Sequence, residues 1–438
     1  MPSGDHMTTP THETDGVREC GCPEDTGELS RRSFLAGAAA TGALTGLVSA
    51  GLSTSTAFAA TPYHGDVMVV LSLRGGMDGL NVVVPTGDPD YHNLRPTIGI
   101  KARALLPLEG IFGLHPAMKP LMPWWRKGKL GFVHAVGQQS PSRSHFQAMA
   151  DMEAAAPGSS LRTGWLDRTL GLRARGTSLQ GCQVGSNLAA GMFIGPSPEM
   201  VMTTVPEFTM HGVPDAAGRR NWTRALRKLQ HGAPETLRAP TQATIEALGQ
   251  VAPLQRQGYR PRSTAHYPNT ELGQALKSVA WLIKARVGLQ VAAVDYGDWD
   301  MHAGMGRTDK GWLHDKMTEL SQALNAFALD LGPKLDNVTL ITLTEFGRRA
   351  AENGSQGTDH GHGQAVMLLG GGVRGGRVHG AWPGLRDVDL DQGDLAGPND
   401  YRALLAEILE KRCGAGTAAT SQVFPGLSSD RIGIVKPR

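Results

Sequence analysis

The chain of 438 residues carries 43 basic and 40 acidic residues, 57 glycines, 27 prolines and four cysteines. That length suits one large domain or two ordinary ones, and an apolar fraction of 40% excludes disorder over most of it. The small basic excess is diffuse and has no interleaved aromatic residues, which argues against nucleic acid as a partner.

The N-terminal segment reads as an address. Arg31 and Arg32 precede Ser33, Phe34 and Leu35, and a weakly apolar Ala/Gly/Leu stretch follows to about Leu52. Ala57-Phe58-Ala59 is a small-x-small cleavage pattern, so residues 1–59 are expected to be a polar leader plus a twin-arginine signal peptide. The apolar run is too short and too rich in Gly, Ser and Thr for a membrane span. The expected partner of this segment is the twin-arginine export machinery, with no stable membrane span after cleavage. The protein is then periplasmic or secreted, exported already folded, a route that favours proteins loaded with a metal or cofactor. Residues 60–438 are expected to form a single domain. Beyond residue 59 lie 40 basic and 33 acidic residues, an excess that suits a small anionic ligand. Cys20 and Cys22 fall in the leader, and Cys182 and Cys413 are too few for a thiolate metal site.

Along the rest of the chain, short apolar runs predict fully buried strands at 67–73, 130–136, 289–295, 338–343 and 365–370. Such runs indicate a sheet covered on both faces, hence an α/β fold with a mostly parallel central sheet and helices on both faces. Leu313, Met317, Leu320, Leu324, Phe327 and Leu331 recur at helical spacing and predict an amphipathic helix over 312–331, stopped by Gly332-Pro333. Further helices are predicted at about 270–287 and 400–414, and one opening at Ser140-Pro141 and running to about 153. Residues 214–265 are polar and Arg-rich, and read as peripheral helices of an insertion.

Ligands of open α/β sheets bind beyond the carboxyl ends of the strands. Arg74 and Asp78 follow the first run, and "SPSRSHF" follows the second. "DWDMH", with Asp300 and His302, follows the run at 289–295. "TEFGRR", with Glu345 and Arg348, follows the run at 338–343, and "TDHGHG", with Asp359, His360 and His362, precedes the last. Each acid alone has a plainer reading: Asp78 as a turn residue, Asp300 as a helix cap, Glu345 as a partner of Arg348. The joint pattern points to one or two divalent metal ions, and oxygen and nitrogen ligands without thiolate suit Zn, Mn, Mg, Ca or Fe. His360 and His362 point the same way only on extended chain, whereas a tight glycine-flanked loop lets both reach one ion. Ser140, Ser142 and Ser144 sit where a helix opens; a hydroxyl there is a candidate nucleophile, with Arg143 to hold an oxyanion and His145 to assist. Helix capping explains any single serine equally well. His134, inside an apolar run, reads as a hydrogen-bonded core histidine.

The ordered set "LRGGMDGLNVVVP", "LHPAM", "SRSHF", "DWDMH", "TEFGRR", "DHGHG", "GGGVRGG" and "DYRALLAEIL" resembles the domain-of-unknown-function 1501 family, a branch of the alkaline phosphatase and sulfatase superfamily. The resemblance implies an alkaline phosphatase-like fold and a metal-dependent hydrolase of phosphate or sulfate esters with a serine nucleophile. It implies metal ligands among Asp78, Asp300, His302, Glu345, Asp359, His360 and His362. The nucleophile is Ser144 or Ser142, with Ser144 preferred because it belongs to "SRSHF". Arg74, Arg143 and Arg348 are the implied anion holders. Two departures stand out. Gln139 occupies the nucleophile position of the sulfatase-like stretch "QSPSR", and Phe346 stands where relatives carry a histidine if Glu345-Phe346-Gly347 aligns with their Asp-His-Gly, the alternative being that Asp359-His360-Gly361 is that element. Both favour the alternative of a non-catalytic exported metal- or anion-binding protein.

Overall fold

Residues 63–173, 176–213 and 215–438 are described by a computed structural model. The expected signal segment and its expected cleavage after Ala59 lie outside these residues. In chain order the larger elements are β1 (Val67–Leu73), β2 (Leu130–Gly137), α1 (His145–Ala154), α2 (Trp165–Gly171), β3 (Gly181–Val184), β4 (Met200–Met202), α3 (Ala216–Leu229), α4 (Glu235–Gln257), α5 (Glu271–Ala285), β5 (Val291–Tyr296), α6 (Trp312–Leu331), β6 (Val338–Leu343), β7 (Gln364–Gly370), β8 (Val378–His379), β9 (Asn399–Asp400), α7 (Tyr401–Lys411) and α8 (Thr417–Val423).

Among the described residues the strands build a nine-stranded sheet in the order β8-β2-β7-β6-β1-β5-β3-β4, with β9 also on β2. β1 pairs in parallel with β5 and β6, and β3 pairs in parallel with β5 and β4. β7 runs antiparallel to both its neighbours, β6 and β2. Alternation along β1 feeds two cores. Val69, Leu71 and Leu73 meet Leu276 and Val279 of α5 and Leu320 and Leu324 of α6. Met68 and Val70 face Leu166 of α2 and Leu404 and Ile408 of α7. The fold is therefore α/β, with a mostly parallel central sheet and helices on both faces.

The reversal of β7 matters for everything that follows. The carboxyl ends of β1, β2, β5 and β6 share one rim of the sheet. An antiparallel β7 begins at that same rim, so the loop 344–363 never leaves it. A parallel β7 would start at the opposite edge and carry His360 and His362 away from Asp300.

Two predicted segments differ from expectation. α1 starts at His145 and not at Ser140-Pro141: Ser144 is its N-cap, with extended φ −92° and ψ 121°. Ahead of it, Ser142 Oγ accepts from Ser144 N at 3.2 Å, and Arg143 is drawn onto Asp394 at 2.6 Å. Those contacts hold 140–143 as a loop. Within 214–265, α4 buries Ala243, Ile245, Ala247 and Val251 and so joins the core, while α3 buries no residue.

His134 on β2 is a core histidine. Its Nε2–H donates to Val83 O at 2.9 Å, and its Nδ1 accepts from Ala135 N at 2.9 Å. Both ring nitrogens are satisfied only in the neutral form, and burial pushes the imidazole down to about 4. The unfolded chain takes up this proton near pH 6.5, so the contribution of neutral His134 is fully present above that pH. It is lost as pH falls toward 4, at most about 3 kcal/mol. His115, also pushed down to about 4 by burial, acts in the same direction. Urea unfolding of His134→Gln is expected to lose its share of this acid sensitivity; a dependence identical to the wild type between neutral and mildly acidic pH contradicts the assignment.

Candidate metal centre

The rim is built by close backbone approach. Gly75, in the turn after β1, has φ +116°, and a Cβ there would lie 2.8 Å from the backbone nitrogens of Trp299 and Asp300. Its absence lets the turn after β1 lie against the segment after β5. The loop 344–363 folds back on itself: Gly347 N donates to His362 O at 2.9 Å, and Arg349 N to Asp359 O at 2.9 Å. A Cβ on Gly347 would lie 1.8 Å from Gly363 O. This short ladder sets His360 opposite Arg348.

Asp300 is the focus of the site. His302 Nε2 lies 2.9 Å from Asp300 Oδ1, His360 Nε2 lies 3.2 Å from the same oxygen, and the two ring nitrogens are 2.9 Å apart. His145 Nε2 is 3.3 Å from Asp300 Oδ2. It is a buried atom with no hydrogen-bond partner. Ligand atoms of His145, Asp300 and His360 all lie within 4.8 Å of one another.

Behind each imidazole stands an acceptor for Nδ1. Glu345 Oε1 is 2.7 Å from His145 Nδ1, Asp359 Oδ1 is 3.2 Å from His302 Nδ1, and Arg143 O is 2.7 Å from His360 Nδ1. With Nδ1–H donating outward, each ring presents its Nε2 lone pair toward Asp300. Histidine ligands of metals are held this way. The orphaned His145 Nε2 and this outer shell fit a divalent cation. Burial opposes ionisation of Asp300, but the hydrogen bond and charge of Arg348, with His360 and His302, outweigh it and hold the carboxyl below its usual range.

Other residues singled out from the sequence take different places. Asp78 is engaged in a fully buried ion pair with Arg95 at 2.6 Å, and it caps Leu80 N. Glu345 is buried behind His145, accepting also from Gly75 N at 2.8 Å and Thr344 Oγ1 at 3.1 Å. It orients a candidate ligand, as Asp359 does for His302. His362 Nε2 contacts Gln138 O at 3.1 Å, and its Nδ1 faces Asp391 at 3.5 Å. Those contacts hold His362 away from Asp300, so of the two histidines His360 is the one at the centre.

The three arginines are engaged internally. Arg74 pairs with Glu153 at 2.8 Å and Asp295 at 2.9 Å. Arg143 pairs with Asp394. Arg348 is buried, donating to Gly75 O, Gly76 O, Thr358 O, Trp299 O and Asp300 Oδ1. Ser144 is exposed and its side chain makes no capping bond. Phe346 packs its ring 4.8 Å from that of His145 and 4.6 Å from that of His360, walling the centre on one side.

Sequence reasoning passed over Arg95, Gln138 and Asn353. Gln138 Nε2 donates to Glu345 O at 2.7 Å, and Asn353 Nδ2 donates to Asp359 Oδ1 at 3.0 Å. The Asn-Gly pair at 353–354 was a visible turn signal; the other two had none. Glu345→Gln is expected to keep the buried amide in place of the carboxylate yet weaken divalent-metal affinity by about 10–100-fold, since outer-shell carboxylates raise ligand basicity. Metal titration of the two proteins measures this directly.

The arrangement defines an α/β protein with a histidine-rich candidate cation centre at the carboxyl rim of its sheet. Residues 211–411 match the sequence model of the family described as protein of unknown function (DUF1501), and the resemblance carried by the motifs is thereby shown over that span. The span includes Asp300, His302, Glu345 and His360, while His145 lies before it. No curated protein matches the chain. Among solved structures, the chain is similar to a protein in the alkaline phosphatase superfamily from Vibrio parahaemolyticus, at 10% identity and TM-score 0.31, over 76% of this chain and 69% of that one. It is similar to the C-terminal periplasmic domain of EcEptC from Escherichia coli, in complex with Zn, at 9% identity and TM-score 0.30, over 71% and 77%. A third is the lipoteichoic acid synthase LtaP from Listeria monocytogenes, at 9% identity and TM-score 0.30, over 76% and 74%. Scores this low transfer no activity to the present chain.

Proposed function

We propose that this chain is an exported, metal-dependent hydrolase of phosphate or sulfate esters whose divalent ion is held by Asp300, His145, His302 and His360. The convergence of three imidazole Nε2 atoms on one carboxylate, each ring held from behind at Nδ1, carries the reading. An ion bound there supplies a Lewis acid toward the ester oxygens. Asp300, kept ionised by Arg348, contributes the negative charge. Phe346 limits water access to the His145 and His360 rings. We assign the attacking hydroxyl to Ser144, which directly precedes His145, is exposed and makes no capping bond; Ser142 is the other candidate.

Elemental analysis of the purified protein, paired with a phosphate- and sulfate-ester screen, tests the reading. Near-stoichiometric divalent metal and ester turnover lost in Ser144→Ala support it; protein without metal overturns it. A second reading, a metal- or anion-binding protein without turnover, is favoured by one observation: Arg74, Arg143 and Arg348 are each engaged with a carboxylate. Bound metal with no ester turnover selects that reading. Export by the twin-arginine route predicts that Arg31→Lys with Arg32→Lys retains the protein in the cytoplasm; unchanged export excludes it.

A further inference from the structure

His360 differs from the other imidazoles of the centre in what holds it. His145 and His302 are backed at Nδ1 by carboxylates, Glu345 and Asp359, whereas His360 Nδ1 meets a main-chain oxygen, Arg143 O, at 2.7 Å. A main-chain acceptor is only as well placed as the loop that bears it. That loop, 139–144, is mostly exposed and forms no helix or strand. Ser142 Oγ reaches only its neighbour Ser144 N. Among the described residues, Arg143 is the one side chain from Gln139 to Ser144 with a hydrogen bond or ion pair to a distant element.

That distant element is Asp394, whose Oδ2 accepts from Arg143 Nη2 at 2.6 Å and Nε at 3.1 Å. Asp394 is buried while the Arg143 side chain is 44% exposed, so the acid is the fixed member and the arginine is drawn in. A tight turn prepares the acid. Asp391 and Asp394 exchange backbone hydrogen bonds of 2.9 Å, and Gln392 and Gly393 between them have φ +53° and +85°. Positive φ at both central residues is what a type I′ hairpin turn requires. The turn is joined to the loop that carries His360: Ala350 N donates to Gly393 O at 3.2 Å, and Gly363 N to Leu395 O at 2.8 Å. Asp394 thus shares a frame with His360 and reaches across to the segment that backs it. Arg349 Nε is 3.8 Å from Asp394 Oδ1, too far for a hydrogen bond, which leaves Arg143 as the firm partner.

We propose that Asp394 is a positioning residue of the metal centre: by holding Arg143 it sets Arg143 O against His360 Nδ1–H, and so turns the Nε2 lone pair of His360 toward Asp300. The role rests on the reading of Asp300, His145, His302 and His360 as a cation site. It also gives the Arg143 guanidinium a use other than holding an anion.

Titration of the metal-free full chain with Co²⁺, read from the visible absorption of the bound ion, tests it. Asp394→Ala and Arg143→Ala are each expected to weaken Co²⁺ binding by about 10–100-fold and to change the spectrum as His360 leaves the ligand set. The double variant is expected to be no weaker than either single variant, because all three break the same link. Arg143→Lys, which still offers Asp394 a cation, is expected to recover most of the affinity; a general loss of structure predicts no such rescue. Circular dichroism reports folding, and if Asp394→Ala does not fold, Arg143→Ala and Arg143→Lys on their exposed loop decide the matter. Equal Co²⁺ affinity in the wild type and the alanine variants overturns the role. So do losses that add in the double variant, or an Arg143→Lys no better than Arg143→Ala. Unchanged Co²⁺ affinity in Arg143→Ala with weaker binding of inorganic phosphate returns Arg143 to the anion. A wild type that takes up no Co²⁺ overturns the metal reading itself and this role with it, so the two failures are told apart.

Discussion

Asp300→Ala is expected to abolish divalent-metal retention, a larger loss than the roughly 10–100-fold attached to an outer-shell partner. Asp300 is the one group that reaches every imidazole of the centre, through Oδ1 to His302 and His360 and through Oδ2 to His145. Without it, three ring nitrogens face one another with no anion to balance a cation. Asp300→Asn separates charge from shape. The amide keeps an oxygen for Arg348, whose remaining bonds run to backbone carbonyls, so the rim holds its form. Both variants are expected to lose the metal, and Asp300→Asn, which keeps an acceptor for Arg348, is expected to melt closer to the wild type than Asp300→Ala, which leaves the buried guanidinium without its carboxylate partner. His302→Ala is expected to behave like them. Elemental analysis after dialysis reads the outcome, and full metal content in Asp300→Ala would place the centre elsewhere.

The parts of the fold that could be read from sequence are those where burial writes itself into composition. Strands covered on both faces are nearly all apolar, so β1, β6 and β7 fall within a residue of where the runs predicted them. α6 spans the predicted range because its buried positions repeat every three or four residues. Strand direction leaves no such mark. The run 365–370 is equally apolar either way, and its antiparallel pairing with β6 and β2 had to come from the structure. The start of α1 was misjudged because Ser140-Pro141 and Ser144 offer the same local cap chemistry. What separates them is the long-range pairing of Arg143 with Asp394, which no local pattern contains.

The site divides along the same line. Asp300, His302 and His360 follow or precede strands that share a rim, so their meeting was readable once a sheet was inferred. Which member of a cluster faces the centre was not. His145 was given an assisting role, yet its Nε2 is the buried orphan beside Asp300. Glu345 follows its strand as a ligand would, but Gly75 N, Thr344 Oγ1 and His145 Nδ1 turn it into a support. Phe346, at a position where the resemblance would allow a histidine ligand, packs against two of the rings. Orientation depends on partners far along the chain, and short motifs carry no record of them.

Asp78 gives the sharpest test of that distinction, through its partner. Arg95→Ala is expected to destabilise the fold by about 3–5 kcal/mol, because it leaves a buried carboxylate without its cation. Arg95 is fully buried, and its guanidinium holds more than Asp78 Oδ2 at 2.6 Å. It also donates to Asn81 Oδ1 at 3.0 Å, Ala350 O at 2.9 Å and Arg349 O at 2.9 Å, tying the turn after β1 to the loop that carries His360. Replacing both members of the pair, Asp78→Leu with Arg95→Met, removes the stranded charge and is expected to recover part of the loss. Recovery stays incomplete, since two buried carbonyls still lack donors at about 1–3 kcal/mol each. Chemical denaturation of the two single variants and the double variant yields the coupling energy, and additive losses would contradict a direct buried pair. The same series separates a support from a ligand. Asp78→Asn keeps the acceptor that caps Leu80 N, and because both Asp78 oxygens are engaged by Leu80 N and Arg95 its metal content is expected to match the wild type. Loss of metal in Asp78→Asn, with the fold intact, would return Asp78 to the ligand set that the family motif implies.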